Sequence, residues 1–177
     1  MNVTRAAILT LASGLLGAAG CGDKVTTATA TLLSPTGASV GTVTISQTGA
    51  AQQVQVTLAL TGLPAGKHGA HLHDLGKCDP PDFMTAGGHF NPTSQSHGDP
   101  NQSVHHSGDF GNIDIGADGT GALSITTTTL SLSADQATYA ANHAFIIHQN
   151  VDDFTTQPTG NSGARIACGI IPVPSGG

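Results

Sequence analysis

Across residues 54–60 apolar Val54, Val56, Leu58 and Leu60 alternate with Gln55, Thr57 and Ala59. That period of two predicts a strand with one buried and one wet face. Related β-branched runs recur along the chain as "VTTATATLLSP", "SVGTVTISQ" and "QQVQVTLALTGLP". Further on, "GDFGNIDIGADGTGALSITTTTL" reads as two strands around an Asp-Gly turn at Asp118 and Gly119, followed by "HAFIIHQN" and "ARIACGIIPV". No helical periodicity persists for three turns beyond residue 20, and no internal repeat is visible. About eight short strands separated by Gly, Pro and Asp clusters predict an all-β domain, either a β-sandwich or an eight-stranded Greek-key barrel.

One stretch breaks the pattern. From Leu75 to Ser107 the chain is Gly, Pro, Asp, Asn, Ser and His with almost no apolar periodicity. Loops of this length inside a compact domain are uncommon and are usually functional or disordered. Something other than a hydrophobic core is expected to order it. A shorter segment of the same kind, "NVDDFTTQPTGNSG", separates the last two predicted strands.

Composition supports the all-β reading: 9% of residues are charged, 3% are aromatic, and Gly is abundant. At the N-terminus, Arg5 precedes an apolar run, Ala6–Leu16, and then small residues. Residues 1–20 therefore read as an export signal too short to span a bilayer comfortably. The run ends at "LGAAGC", as a bacterial lipoprotein cleavage site does, although Ala18 stands where Leu or Val is usual. Cys21 is thus expected to be a lipidated N-terminus, with ordinary cleavage nearby as the alternative. Residues 21–24 would be a short tether and 25–177 the folded domain. The protein is expected to be exported, periplasmic or in the cell envelope, and held to a membrane through its lipid.

From Cys21 onward four basic side chains face eleven Asp and no Glu, a formal charge of −7. That balance argues against nucleic acid as a partner. An anionic substrate would need a local positive site. Cys78 and Cys168 remain after Cys21 is assigned, and in an exported protein they are expected to form a disulfide.

Seven of the nine histidines lie between positions 68 and 106, and His143 and His148 follow on a late strand. In "HLH", His71 and His73 are two apart, so strand geometry points both to one face at a spacing that suits two ligands of one ion. His68, three away from His71, should point elsewhere. His89, His97, His106 and Asp109 follow from the long loop. Imidazoles with a single carboxylate suit zinc or copper rather than the all-oxygen sites of calcium or magnesium, and a bound metal would itself hold the loop down.

Taken together, "HGAHLHDLG", "CDPPDFMTAGGHFNP", "HGDP", "HHSGDFGN", "FIIHQNVDD" and "GNSGARIACGII" resemble the copper/zinc superoxide dismutase family, in order and spacing, over roughly residues 25–172. The resemblance implies an eight-stranded Greek-key β-barrel. It implies one copper on His71, His73, His89 and His148, and one zinc on His89, His97, His106 and Asp109, with the His89 imidazolate shared. Asp152 matches the carboxylate that links a copper histidine to a zinc histidine in that family. Arg165 matches its cation beside copper, Cys78 and Cys168 its disulfide, and His68 a structural histidine. His105 and His143 match no ligand. The implied activity is disproportionation of superoxide to dioxygen and hydrogen peroxide, with His89 and Arg165 as catalytic residues.

There are departures from the family pattern. The segment from His148 to Arg165 is shorter than in the best-known animal members and carries no Lys or Glu before Arg165, so Arg165 alone carries the expected steering of superoxide. Nothing in the sequence distinguishes monomer from homodimer. A non-catalytic copper/zinc binding or delivery protein of the same fold is the alternative. A serine hydrolase suggested by "GNSGA" fails, because Ala164 occupies the final glycine of the nucleophile elbow.

Overall fold

The computed structural model describes residues 24–49 and 53–174. Eight strands follow in chain order: β1 Val25–Leu33, β2 Ser39–Thr48, β3 Val54–Leu60, β4 Gly66–His73, β5 Asp109–Ile115, β6 Gly121–Thr127, β7 Ala144–His148 and β8 Arg165–Ile170. All pair antiparallel in the order β5-β4-β7-β8-β1-β2-β3-β6. The two end strands, β5 and β6, are joined by the tight turn at Asp118 and Gly119, so the sheet curls into a nearly closed Greek-key barrel. The expected export signal and Cys21 lie outside the described residues.

The period-two reading fits β3, where Val54, Val56, Leu58 and Leu60 are buried and the residues between them exposed. These side chains join Leu32, Val43, Ile45, Leu72, Phe110, Ile113, Phe145 and Ile147 in one core, with Phe110 and Phe145 stacked at 5.3 Å. The barrel is two-sided in character. Strands β1, β2, β3 and β6 turn an outer face of Thr, Ser and Gln to water. Strand β7, and β4 from His68 onward, are buried on both faces, because the loops 74–108 and 149–164 lie over their outer side.

The long loop is ordered partly by apolar contacts that its composition hides. Phe83 and Ala86 pack with Ala144, Ile146 and Cys168 in a second, smaller cluster outside the barrel. Cys78 in the loop and Cys168 on β8 form the expected disulfide, with Cα atoms 5.7 Å apart. Register then aligns the chemistry. His71 pairs with Asp109 across β4 and β5, and His148 with Arg165 across β7 and β8. On β5 a bulge at Gly111, held at φ 78°, shifts the ladder between Gly69 and His71 and sets Asp109 beside His71.

Candidate metal centre

Strand parity places His71 and His73 on the outer face of β4, beneath the loops, while His68 points the other way. The His68 Nδ1 lies 2.9 Å from the His148 carbonyl and its Nε2 2.9 Å from that of Pro64. A lone bridge between His73 and His89 then draws the loop back along β4. His148 reaches the same face from the end of β7, two residues past Ile146, the register partner of His71.

Two clusters result, both fully buried. His71, His73, His89 and His148 form one; His89, His97, His106 and Asp109 form the other. Within each, one potential ligand atom per residue lies within 4.8 Å of the others. His89 belongs to both. On one side its ring centroid is 3.9 Å from that of His71, and on the other its Nδ1 is 2.9 Å from Asp109 Oδ1 and 3.4 Å from His106 Nδ1. All eight residue positions expected from the sequence, counting His89 twice, are therefore brought together.

Four of the six rings are oriented by a bond on the far nitrogen. His71 Nε2 is 2.7 Å from Asp152 Oδ2 and His97 Nε2 is 2.9 Å from Asp152 Oδ1, so one carboxylate spans a histidine of each cluster. His73 Nδ1 meets the Gly87 carbonyl at 2.9 Å, and His148 Nδ1 the Gly163 carbonyl at 3.2 Å. Asn112 brackets the backbone of Asp152: its Nδ2 donates to the Asp152 carbonyl at 3.0 Å and its Oδ1 accepts from the Asp152 N–H at 2.7 Å. Gly160 is packed against this carboxylate. A Cβ there would run into Asp152 and sit 2.6 Å from His97 Nε2, and its φ of 63° also favours glycine.

Among the described residues, three buried ring nitrogens are left without a hydrogen-bond partner: His71 Nδ1, His89 Nε2 and His97 Nδ1. His97 Nδ1 lies 3.0 Å from Asp109 Oδ2 but off the hydrogen-bonding direction. Buried polar atoms are seldom orphaned, and here all three belong to the two clusters. A divalent ion in each cluster would take up their lone pairs, and a set of imidazoles with one carboxylate has the donor chemistry for zinc and copper.

Electrostatics favour neutral rings on one side and a held proton on the other. Burial lowers His89 to about 4, helped by His71 and opposed by Asp109. Burial likewise lowers His148 to about 3, and holds His73 well below its ordinary value. For His97 burial is outweighed by Asp109 and Asp152, which raise it to about 9. Asp109 and Asp152 are themselves held well below the carboxylate range by their histidine partners, against the cost of burial.

Arg165 is half-buried. Its guanidinium donates to the Phe83 carbonyl at 2.5 Å and to that of Gly87 at 2.6 Å, the latter also being the acceptor for His73. Its charge is close enough to disfavour protonation of His73 and His148. His105 and His143 lie outside both clusters: His105 Nδ1 is 2.7 Å from the His106 carbonyl, and His143 packs on Phe90. Sequence reasoning missed the amide brackets of Asn112 and Gln157, the glycine at 160, and the Gly87 and Gly163 carbonyls. Loop amides and glycines look solvated in sequence, and a carbonyl carries no residue signature.

Residues 39–171 match the family model for copper/zinc superoxide dismutase (SODC). The chain is 38% identical over 149 residues to the copper-zinc superoxide dismutase of Caulobacter vibrioides, across 81% of this chain and 84% of that protein. It is 41% identical over 111 residues to the superoxide dismutase-like protein YojM of Bacillus subtilis, a match that spans 61% of this chain and 57% of that relative. Among solved structures it resembles a SOD-like protein from Bacillus subtilis with a TM-score of 0.73 at 35% identity, over 81% of this chain and 97% of the other. The clock protein EA4 superposes with a TM-score of 0.70 at 28% identity, over 89% and 99%.

Proposed function

The chain belongs to the copper/zinc superoxide dismutase family, and on that premise we propose that it disproportionates two superoxide anions and two protons to dioxygen and hydrogen peroxide. The observation that carries this reading is the His89 ring, shared by two buried clusters that each leave ring nitrogens unpartnered. In this reading copper is held by His71, His73, His89 and His148, and zinc by His89, His97, His106 and Asp109. Copper supplies the one-electron exchange, and zinc supplies a fixed positive charge beside the shared imidazole.

The chain's own residues do the rest. Arg165 presents a fixed cation beside His73 and His148, so a small anion is drawn to a site that the overall charge would repel. The fork to Phe83 and Gly87 keeps that guanidinium in place. His89 Nε2 faces the His71 side without a protein partner and is the atom placed to hold a proton and deliver it. Asp152 fixes His71 and His97 together, so the two clusters keep one geometry.

Metal analysis of the purified protein together with a superoxide disproportionation assay tests the proposal. One copper and one zinc per chain with rapid turnover is the expected result. Full copper occupancy without turnover would overturn it and leave the alternative of a binding or delivery protein, the reading favoured by similarity to a relative described only as superoxide dismutase-like.

Export and a lipid-modified Cys21 are part of the same proposal, supported by the leader-like residues 1–20 and the "LGAAGC" sequence. Mass spectrometry of the N-terminal peptide tests it; an unmodified Cys21, or its absence, would move the protein to a soluble exported form.

A further inference from the structure

His97 stands in an irregular part of the long loop, and among the described residues neither its N–H nor its carbonyl is bonded to another backbone group. Both are taken up by one side chain. Gln157 Oε1 accepts from the His97 N–H at 2.9 Å, and Gln157 Nε2 donates to the His97 carbonyl at 2.9 Å. The carboxamide thus stands in for the neighbouring strand that this segment lacks, and buried backbone groups require such a partner. Gln157 comes from the loop 149–164, sixty residues away in sequence, and Asp152 of that loop holds the same histidine by its ring.

We propose that Gln157 is a positioning residue for the zinc-side cluster, and that its two bonds to the His97 backbone are the latch by which the second loop sets His97 for metal capture. The inference rests on the metal-centre reading above. A ring held only at Nε2 would still swing about that bond. Fixing the backbone as well leaves His97 Nδ1 a single direction, toward Asp109, where it lies 3.0 Å from Oδ2. The latch needs an acceptor and a donor at once. A carboxylate of the same length supplies only acceptors, and a methionine thioether has no N–H and at most a weak acceptor.

The test titrates zinc, and cobalt(II) as a spectroscopic probe of ligand geometry, into the metal-stripped parent, Gln157→Met and Gln157→Glu; copper is titrated separately. Gln157→Met is expected to weaken zinc binding by about 10- to 100-fold and to change the visible cobalt spectrum. Gln157→Glu, which keeps the acceptor for the His97 N–H, should fall between Gln157→Met and the parent. Copper affinity should be unchanged in both, an outcome that general loosening of the fold would not give. If Gln157→Met fails to fold, Gln157→Glu carries the comparison. Parent-like zinc affinity and cobalt spectrum in the folded variant would overturn the latch, as would equal losses of zinc and copper. A parent chain that takes up neither zinc nor cobalt would instead remove the metal-centre reading on which the latch stands.

Discussion

Arg165 works in two directions: its charge acts on His73 and His148 while its hydrogen bonds hold the carbonyls of Phe83 and Gly87. Replacing it with alanine removes both, whereas lysine keeps the charge without the fork. Arg165→Ala is expected to lower the disproportionation rate by about 10-fold or more and to flatten its dependence on ionic strength, while copper stays bound; Arg165→Lys should retain part of the salt dependence. Steady-state rates over a salt series check this, and unchanged kinetics would remove the steering role. His97 makes a second, opposite kind of prediction. In the metal-free protein Asp109 and Asp152 raise it to about 9, against burial, so it carries a proton at neutral pH, whereas His89, lowered to about 4, does not. Zinc must displace that proton. Uptake at pH 7 should therefore release a proton, and the release should vanish above about pH 9. Calorimetry in buffers of different ionisation enthalpy measures it. The sign for stability follows: because the folded value is raised, the contribution of His97 to the metal-free fold is complete below pH 6.5 and lost as pH rises through about 9.

Among the elements, the long loop shows how a polar segment is held without a strand of its own. The disulfide ties it to β8, Phe83 and Ala86 seat it on β7, and Arg165 and the His73–His89 bridge hold its middle. A cross-link closing a loop with a sequence separation of 90 stabilises by about 4 to 5 kcal/mol at most in the chain-entropy model. Replacing both Cys78 and Cys168 with serine should lower the melting temperature by about 10 °C and make residues 75–87 the first site of proteolysis. Cleavage no faster than in the parent would mean that the apolar cluster and the Arg165 bonds suffice. The strands themselves were legible in the alternation of Val54 to Leu60 and in the "HLH" spacing. The satellite cluster was not, because single apolar residues such as Phe83 and Ala86 in a Gly- and Pro-rich run carry no period.

At the scale of the whole molecule, the barrel separates support from chemistry: β1, β2, β3 and β6 present an uncharged polar face to water, while β5, β4, β7 and β8 carry His71, His73, His148, Asp109 and Arg165 beneath the loop that brings His89, His97 and His106. Buried imidazoles and two carboxylates at such close range would make a bound metal part of the fold. Chelation is expected to lower the melting temperature by about 10 °C or more, a binding stabilisation of about 4 kcal/mol, and restoring zinc alone should recover part of it. Thermal melts of stripped, zinc-loaded and fully loaded protein measure this; coincident melts would show that the loops are held by protein contacts only. Side-chain type and strand parity are local properties, so the residues able to bind metal, and the face of β4 that presents His71 and His73, can be read from the order of residues alone. The family resemblance named seven candidate ligands, His89 among both sets, and Asp152. The folded chain adds that Asp109 lies opposite His71, that Gly160 leaves room for the Asp152 carboxylate, and that Asn112 and Gln157 bracket the backbones of Asp152 and His97. Those depend on register and on contacts between loops far apart in the chain, and neither leaves a periodic trace in the order of residues.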